Sequence, residues 1–282
     1  MVRSFDNEKE KGDRQANHIR NLIIVIVVGY VSAFIYFEIT KVELGKNNCP
    51  VSEKPRGEYV VLFDRTDKDK DSALVDNDIK QTLEKIKNDI PQYARLSVYV
   101  ITDELTKNYQ PVSEPLCNPG NLKDENWFVR KIGLNKTPIR IKKDWEKKFA
   151  NIVDETYEKI IEPSQSSFSP IFEMIQAINV MNFKFSSEEY ENRLIIFSDM
   201  LHYMPDEFSL FQDNPKFDDL KKSHNNYYKK IHTNLKNNVF VKINLVPRHE
   251  KIKYQTKILE DFWLGYFDDI NASYTLFNEI GS

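Results

Sequence analysis

Runs of apolar residues alternate along this chain with segments in which apolar residues recur at helical spacing. Four apolar runs have the length and composition of strands buried on both faces of a sheet, at residues 59–63, 96–101, 193–199 and 239–246. Helical spacing predicts helices at about 75–90, 143–161, 216–236 and 254–271. A further helix begins at Ser169-Pro170. Strands that alternate with helices predict an α/β fold with a doubly wound, mostly parallel sheet.

One segment near the N-terminus differs from these apolar runs. Residues 22–37 contain no charged side chain, and Arg20 and Lys41 flank them. A helix over 21–40 approaches the thickness of the bilayer's hydrocarbon core, about 30 Å. A buried core element explains such an evenly apolar segment less well. We therefore predict four regions: a polar N-terminal tail (1–20), a transmembrane helix (21–40), a linker (41–57) and an α/β domain (58–282).

A cleaved signal peptide is the alternative interpretation of the apolar segment, because Val31-Ser32-Ala33 is similar to a small-residue cleavage site. The 20 residues before the segment are long and of mixed charge, unlike a short basic leader. Basic residues near its two ends are nearly balanced, so they do not fix the orientation. We expect a single-pass protein of the cell membrane, with its tail in the cytoplasm and its domain outside.

Composition excludes several functions. The chain has 40 Lys and Arg against 43 Asp and Glu, so it lacks the basic surplus of a nucleic-acid-binding protein. It has only 8 Gly and no glycine-rich phosphate-binding motif. Its two cysteines, Cys49 and Cys117, have no zinc-binding spacing. They would pair in an oxidising compartment and remain thiols in a reducing one, and the sequence leaves both alternatives open.

Oxygen-bearing side chains follow the predicted strands at one edge of the sheet. Asp64 and Thr66 follow the first strand, Ser169 precedes a helix, and Asp199 ends the third strand. Loops at the carboxyl ends of parallel strands meet at the same edge, so we expect these side chains to lie close together. Carboxylate and hydroxyl oxygens are suitable ligands for Mg²⁺. The sequence therefore predicts a cation site at this edge.

The order of these motifs, strand–DxTxx, Ser-Pro before a helix and strand–SD, resembles the von Willebrand factor A family over about residues 58–270. The resemblance implies a metal-ion-dependent adhesion site with the ligands Asp64, Thr66, Ser169 and Asp199. It also implies that Mg²⁺, or Mn²⁺ or Ca²⁺, binds there and leaves one coordination position for a carboxylate of a partner protein.

Lys68 departs from the family's pattern, since it stands where a third hydroxyl is expected. Its ammonium group would repel a divalent ion or partly replace its charge. In the alternative, Lys68 turns outward and Asp67 or Ser198 supplies the missing contact. In a simpler interpretation, Asp64 and Asp199 only bind backbone N–H groups and Ser169 caps its helix.

The predicted function is a membrane-anchored protein-binding module without enzymatic activity, in a multi-component bacterial envelope or defence system. The partner is an unknown protein, expected to be another component of a membrane complex. A metal-free structural or scaffold subunit is the first alternative. A phosphohydrolase of the haloacid dehalogenase type is the second, although its motif requires an Asp where this chain has Thr66. Asp67, Asp69, Asp71 and Asp78 partly match a calcium loop, and we interpret them as a solvated acidic loop.

Overall fold

The computed structural model divides into two compact units, Met1–Glu43 and Leu44–Ser282. The residues that it describes are 2–39, 42–64, 73–101, 109–121, 123–124, 138–161, 168–184, 190–211, 215–236, 238–248 and 252–280.

The first unit is a single helix, α1 (Val2–Ile39). Its segment Asn17–Tyr36 has a mean hydropathy of 2.0 and is long and apolar enough to cross a membrane. Every side chain of that segment is exposed. A signal sequence has the same length and composition. The helix also includes residues predicted as the polar tail, whose backbone is therefore helical.

The second unit is built on a six-stranded sheet, which confirms the predicted fold class. Its strand order is β3-β2-β1-β4-β7-β8, and every pairing is parallel except that of β3 with β2. The strands of this sheet are β1 (Glu58–Asp64), β2 (Arg95–Ile101), β3 (Leu116–Cys117), β4 (Asn192–Ser198), β7 (Val239–Leu245) and β8 (Tyr274–Glu279). Two short strands, β5 (Tyr203–Met204) and β6 (Phe208–Ser209), form a separate antiparallel pair.

Helices pack on both faces of this sheet. One face is covered by α5 (Ile171–Met181), α6 (Phe217–Ser223), α7 (Asn225–Ile231) and α8 (Lys257–Asp269). The other face is covered by α2 (Ala73–Asp89) and by a helical segment made of α3 (Pro138–Trp145), a π-helical turn (Glu146–Ala150) and α4 (Asn151–Ile161). Alternate residues of β1, β2 and β4 are buried in the two resulting cores, as expected for central parallel strands.

The predicted elements differ from the structure mainly at their ends. The helix predicted at 143–161 begins at Pro138 and contains the π-helical turn. The helix predicted at 216–236 is two short helices separated at His224. Pro170 is the N-cap of α5 and not its first helical residue. The edge strand β8 was not predicted, because its side chains are exposed or half-buried and form no continuous apolar run.

A disulfide joins Cys49 to Cys117, so the segment before β1 is linked covalently to β3. Hydrogen bonds support the same contact: the Cys117 N–H donates to the Asn47 carbonyl, and the Asn47 side chain donates to the Pro115 carbonyl. Of the two alternatives that the sequence left open, the structure has the paired form.

Candidate functional site

Three of the predicted side chains meet at the carboxyl edge of the sheet. Asp64 ends β1, and its Oδ2 accepts a hydrogen bond from Ser169 Oγ and another from Ser198 Oγ, each 2.8 Å long. Ser198 reaches it because β4 pairs in parallel with β1 and ends beside it. Ser169 reaches it from the loop before α5. We call Asp64, Ser169 and Ser198 the oxygen cluster.

The backbone around Ser169 holds its hydroxyl in place. Its N–H and C=O both bond to the backbone of Tyr203, which pins the loop to β5. Pro170 has φ −83° and ψ 63°, close to an inverse γ-turn, and α5 begins directly after it. Ser169 is buried, so its hydroxyl has a fixed environment.

The loop after β4 is held by its own side chains. The Met200 N–H donates to Ser198 Oγ, and the Leu201 N–H donates to Asp199 Oδ1. These bonds form two successive side-chain turns. Met200 has φ 60°, a left-handed conformation that is uncommon for a side-chain-bearing residue, and its carbonyl accepts a bond from Trp263 Nε1. Packing from α8 therefore holds a strained backbone beside the oxygen cluster.

Asp199 forms an ion pair with Arg248. Arg248 Nη1 lies 2.7 Å from Asp199 Oδ2, and the two side chains are only 10% and 11% exposed. Gln255 supports the pair: its Oε1 accepts from the Arg248 N–H, and its Nε2 donates to the Val246 carbonyl. The Asp199 carboxylate is thus bound by the guanidinium and by the Leu201 N–H.

A buried polar chain lies next to the start of α5. His202 Nδ1 accepts from the Ile171 N–H at 3.2 Å, which assigns the proton of the neutral ring to Nε2. Nε2 then donates to Tyr227 Oη at 2.8 Å, and that hydroxyl donates to Glu173 Oε1 at 2.7 Å. Burial lowers the pKa of His202 to about 3 and raises the pKa of Glu173 above its usual range. A neutral His202 thus orients the N-terminus of α5.

The structure brings some of the predicted site residues together and gives another a different partner. Asp64, Ser169 and Ser198 come together. Asp199, which directly follows β4, instead forms an ion pair with Arg248. Thr66, Asp67 and Lys68 lie outside the described residues. Sequence reasoning missed Arg248 and Gln255, although an arginine three residues beyond a buried strand was a usable signal at this edge.

The ligand atoms of the oxygen cluster are of the kind that a hard cation prefers. The cluster carries a single negative charge, which is less than the charge of a divalent ion. It offers one carboxylate and two hydroxyls, all oxygen donors of the type that Mg²⁺ prefers. Within the described ranges there is no group of three or more His, Cys, Asp or Glu side chains that could hold a metal ion. At the oxygen cluster, the charged ligand of a cation among the described residues would be Asp64.

No protein-family model matches the chain, and no curated protein sequence is significantly similar to it. Solved structures similar to this chain include the von Willebrand factor A domain of SpRpn10, at 13% identity and a TM-score of 0.36, covering 80% of this chain and 89% of that one. Proximal thread matrix protein 1 of the mussel byssus has 9% identity and a TM-score of 0.33, and the match covers 77% of this chain and 48% of that one. The human COPII-coat protein Sec24c has 11% identity and a TM-score of 0.32, and the match covers 84% of this chain and 31% of that one. This chain therefore spans about half and about a third of the last two proteins.

Proposed function

We propose that this protein is a membrane-anchored protein-binding module whose binding site is the oxygen cluster at the carboxyl edge of its sheet. The observation that carries the proposal is the convergence of two hydroxyls from separate loops on one oxygen of Asp64. Loops at this edge are the usual location of binding sites in doubly wound folds. The strained Met200 beside the cluster supports the same location, because backbone strain concentrates at functional sites.

In this proposal the oxygen cluster binds Mg²⁺, with Mn²⁺ or Ca²⁺ as substitutes. Asp64 neutralises part of the charge of the ion, and the hydroxyls of Ser169 and Ser198 supply neutral oxygens. The bound ion offers a coordination position to a carboxylate of the partner protein. With a single carboxylate from the cluster we expect weak affinity for the ion.

A metal-free mode of binding is the second candidate, and the ion pair favours it. Arg248 brings a fixed positive charge to the same edge of the sheet, and Asp199 holds it at 2.7 Å. A guanidinium binds carboxylates in a planar, directional geometry, so it can contribute to partner recognition without a metal ion. The protein would then be a scaffold subunit of a membrane complex.

We place the folded unit outside the cytoplasm, with α1 as its membrane anchor. The exposed apolar surface of Asn17–Tyr36 supports the anchor, because such a surface is stable only in lipid or against a partner. The disulfide Cys49–Cys117 supports the location, since disulfides persist in oxidising compartments. The partner is expected to be another component of the same membrane complex.

Thermal unfolding of the full chain in detergent tests the cation site. At Mg²⁺ about tenfold above its dissociation constant, binding stabilises the folded state by about 1.4 kcal/mol, which raises Tm by about 3–5 °C. Asp64→Asn removes the charged ligand and should abolish the shift. Asp261→Asn is the matched control, because Asp261 is an exposed carboxylate on α8 and its loss should leave the shift intact.

Affinity capture with and without EDTA then separates the two modes of binding. The metal-dependent mode predicts that EDTA and Asp64→Asn release the same partner. A partner that stays bound both in EDTA and in the Asp64→Asn variant would support the metal-free mode. An equal Tm shift in the Asp64→Asn variant would show that the ion binds elsewhere and would contradict the proposed cation site.

A further inference from the structure

Among the described residues, one part of the sheet is only partly covered on one of its faces. Val239, Val241 and Ile243 of β7 are buried beneath the helices α5–α8. On the opposite face Phe240 and Lys242 of β7 are half-buried, and Tyr274 and Leu276 of β8 are 58% and 43% exposed. Parallel sheets normally have helices on both faces, because each face is apolar. Here α2 and α4 cover the β1, β2 and β4 part of this face, and the carboxyl end of β7 and β8 is buried at Asn244 and Ile280. Among the described residues, Phe240, Tyr274 and Leu276 remain half-buried or exposed on this face.

The partly exposed face forms a groove beside α2. The groove has a volume of about 190 Å³. Its floor includes Phe240, Leu276 and Tyr274 from the two strands, and α2 forms its wall through residues on successive turns, Thr82, Lys85, Ile86 and Asp89. We call this surface the β7–β8 groove. It lies where a further helix would complete the layer that α2 begins.

The β7–β8 groove carries a surplus of positive charge. Its lining includes three cations, Lys85, Arg193 and Lys242, and one carboxylate, Asp89. Arg193 is paired with Glu191, whereas within the described part of the chain neither lysine forms an ion pair. Burial and the like charges of Lys85 and Arg193 lower the pKa of Lys242. An arriving carboxylate would offset the repulsion by the like charges and would favour the charged form of Lys242.

We propose that the β7–β8 groove binds an acidic amphipathic helix of a partner protein. The apolar stripe of that helix packs on Phe240 and Leu276, and its carboxylates pair with Lys85 and Lys242. In helix-in-groove recognition the apolar face of the helix packs on an apolar floor, and charges of opposite sign on the rim add specificity. The groove contains no member of the oxygen cluster, so its occupation does not depend on a cation at Asp64.

Site-specific photo-crosslinking of the full chain in its own membrane tests the proposal. The photoreactive amino acid p-benzoylphenylalanine replaces Leu276, and the crosslinked peptide of the partner is sequenced by mass spectrometry. We expect a segment with Asp or Glu on one side of an apolar helical stripe. In the same protein Lys242→Glu should lower the adduct yield about tenfold or more, because it places two carboxylates against each other.

Two matched variants separate recognition from loss of folding. Lys229→Glu makes the same charge change on α7, which packs on the opposite face of the sheet, and it should leave the yield unchanged. Lys242→Gln keeps the length and polarity of the side chain without its charge and should give an intermediate yield. Equal Tm values for the three variants and the parent show that all of them are folded.

The proposal would be overturned by no protein adduct at position 276, by an adduct to lipid or to a second copy of this chain, or by a partner segment without the acidic stripe. It would also be overturned if Lys242→Glu and Lys229→Glu had equal effects. The Asp64→Asn variant separates this proposal from the cation site. Its crosslinking yield at position 276 should equal that of the parent protein, whether or not the oxygen cluster binds Mg²⁺.

Discussion

Arg248 Nη1 lies 2.7 Å from Asp199 Oδ2 in an ion pair that is about nine-tenths buried on both sides. The pair joins the loop after β4 to the loop after β7, two strands that are neighbours in the sheet. Asp199 was predicted as a metal ligand because it ends a strand at the edge where ligands are expected. In the structure a guanidinium balances its charge, and the carboxylate also fixes its own loop through the Leu201 N–H.

Arg248→Met should destabilise the folded unit strongly, because it leaves the Asp199 charge nearly buried without its counter-ion. Removing one partner of a buried pair costs about 3–5 kcal/mol. Denaturant unfolding at neutral pH measures the loss. Lys222→Met is the matched control: its pair with Asp218 is 75% and 72% exposed, so the change should cost less than about 1 kcal/mol. Similar losses in the two variants would contradict the structural role of the pair.

Reduction of the Cys49–Cys117 disulfide should lower the stability of the folded unit. The bond closes a loop with a sequence separation of 68 residues, and the restriction of the unfolded chain stabilises the fold by about 2–4 kcal/mol. Thermal unfolding with and without dithiothreitol measures the effect. The double variant Cys49→Ala, Cys117→Ala should unfold at the Tm of the reduced protein and should not respond to reductant. An unchanged Tm on reduction of the parent would contradict this expectation.

His202 should make the fold sensitive to mild acid. Burial lowers its pKa from 6.5 to about 3 in the folded state, so between these values the unfolded chain binds a proton that the folded protein does not. Stability therefore falls as the pH falls below 6.5, by up to about 1.4 kcal/mol per pH unit for this group. Denaturant unfolding between pH 6.5 and 5 measures the slope.

Two histidine variants isolate this contribution to the pH dependence. His202→Asn keeps an acceptor for the Ile171 N–H without a titrating ring, so its stability should depend less on pH than that of the parent. His224→Asn, which changes an exposed histidine, is the matched control. Equal slopes in the parent and the His202→Asn variant would show that His202 does not bind the proton.

The buried strands were predictable because their signal is local. The segments containing β1, β2, β4 and β7 are each an apolar run bounded by polar residues, and each is a parallel strand of the sheet. The edge strands β3 and β8 were not predictable in this way. Strand β3 is only two residues long, and the side chains of β8 are exposed or half-buried, so neither strand produces an apolar run. Their positions depend on neighbours that are remote in the sequence.

The candidate site was predictable in its location and only partly in its contacts. That Asp64 and Ser198 would lie at one edge follows from strands that run in parallel and end together. The division of roles between Ser198 and Asp199 does not follow, because adjacent residues at a strand end point in different directions. The loop conformation around Met200 and the position of Arg248 determine which of the two meets Asp64.

The sequence by itself determined the α/β class, the apolar N-terminal helix and the edge of the sheet where polar side chains gather. These depend on hydrophobic periodicity, which is a property of short segments. Tertiary structure alone decided that Arg248 pairs with Asp199, that Cys49 meets Cys117, and that the described residues leave part of one face of β7 and β8 exposed. Each of these is a relation between distant segments, set by how the helices and loops pack around the sheet.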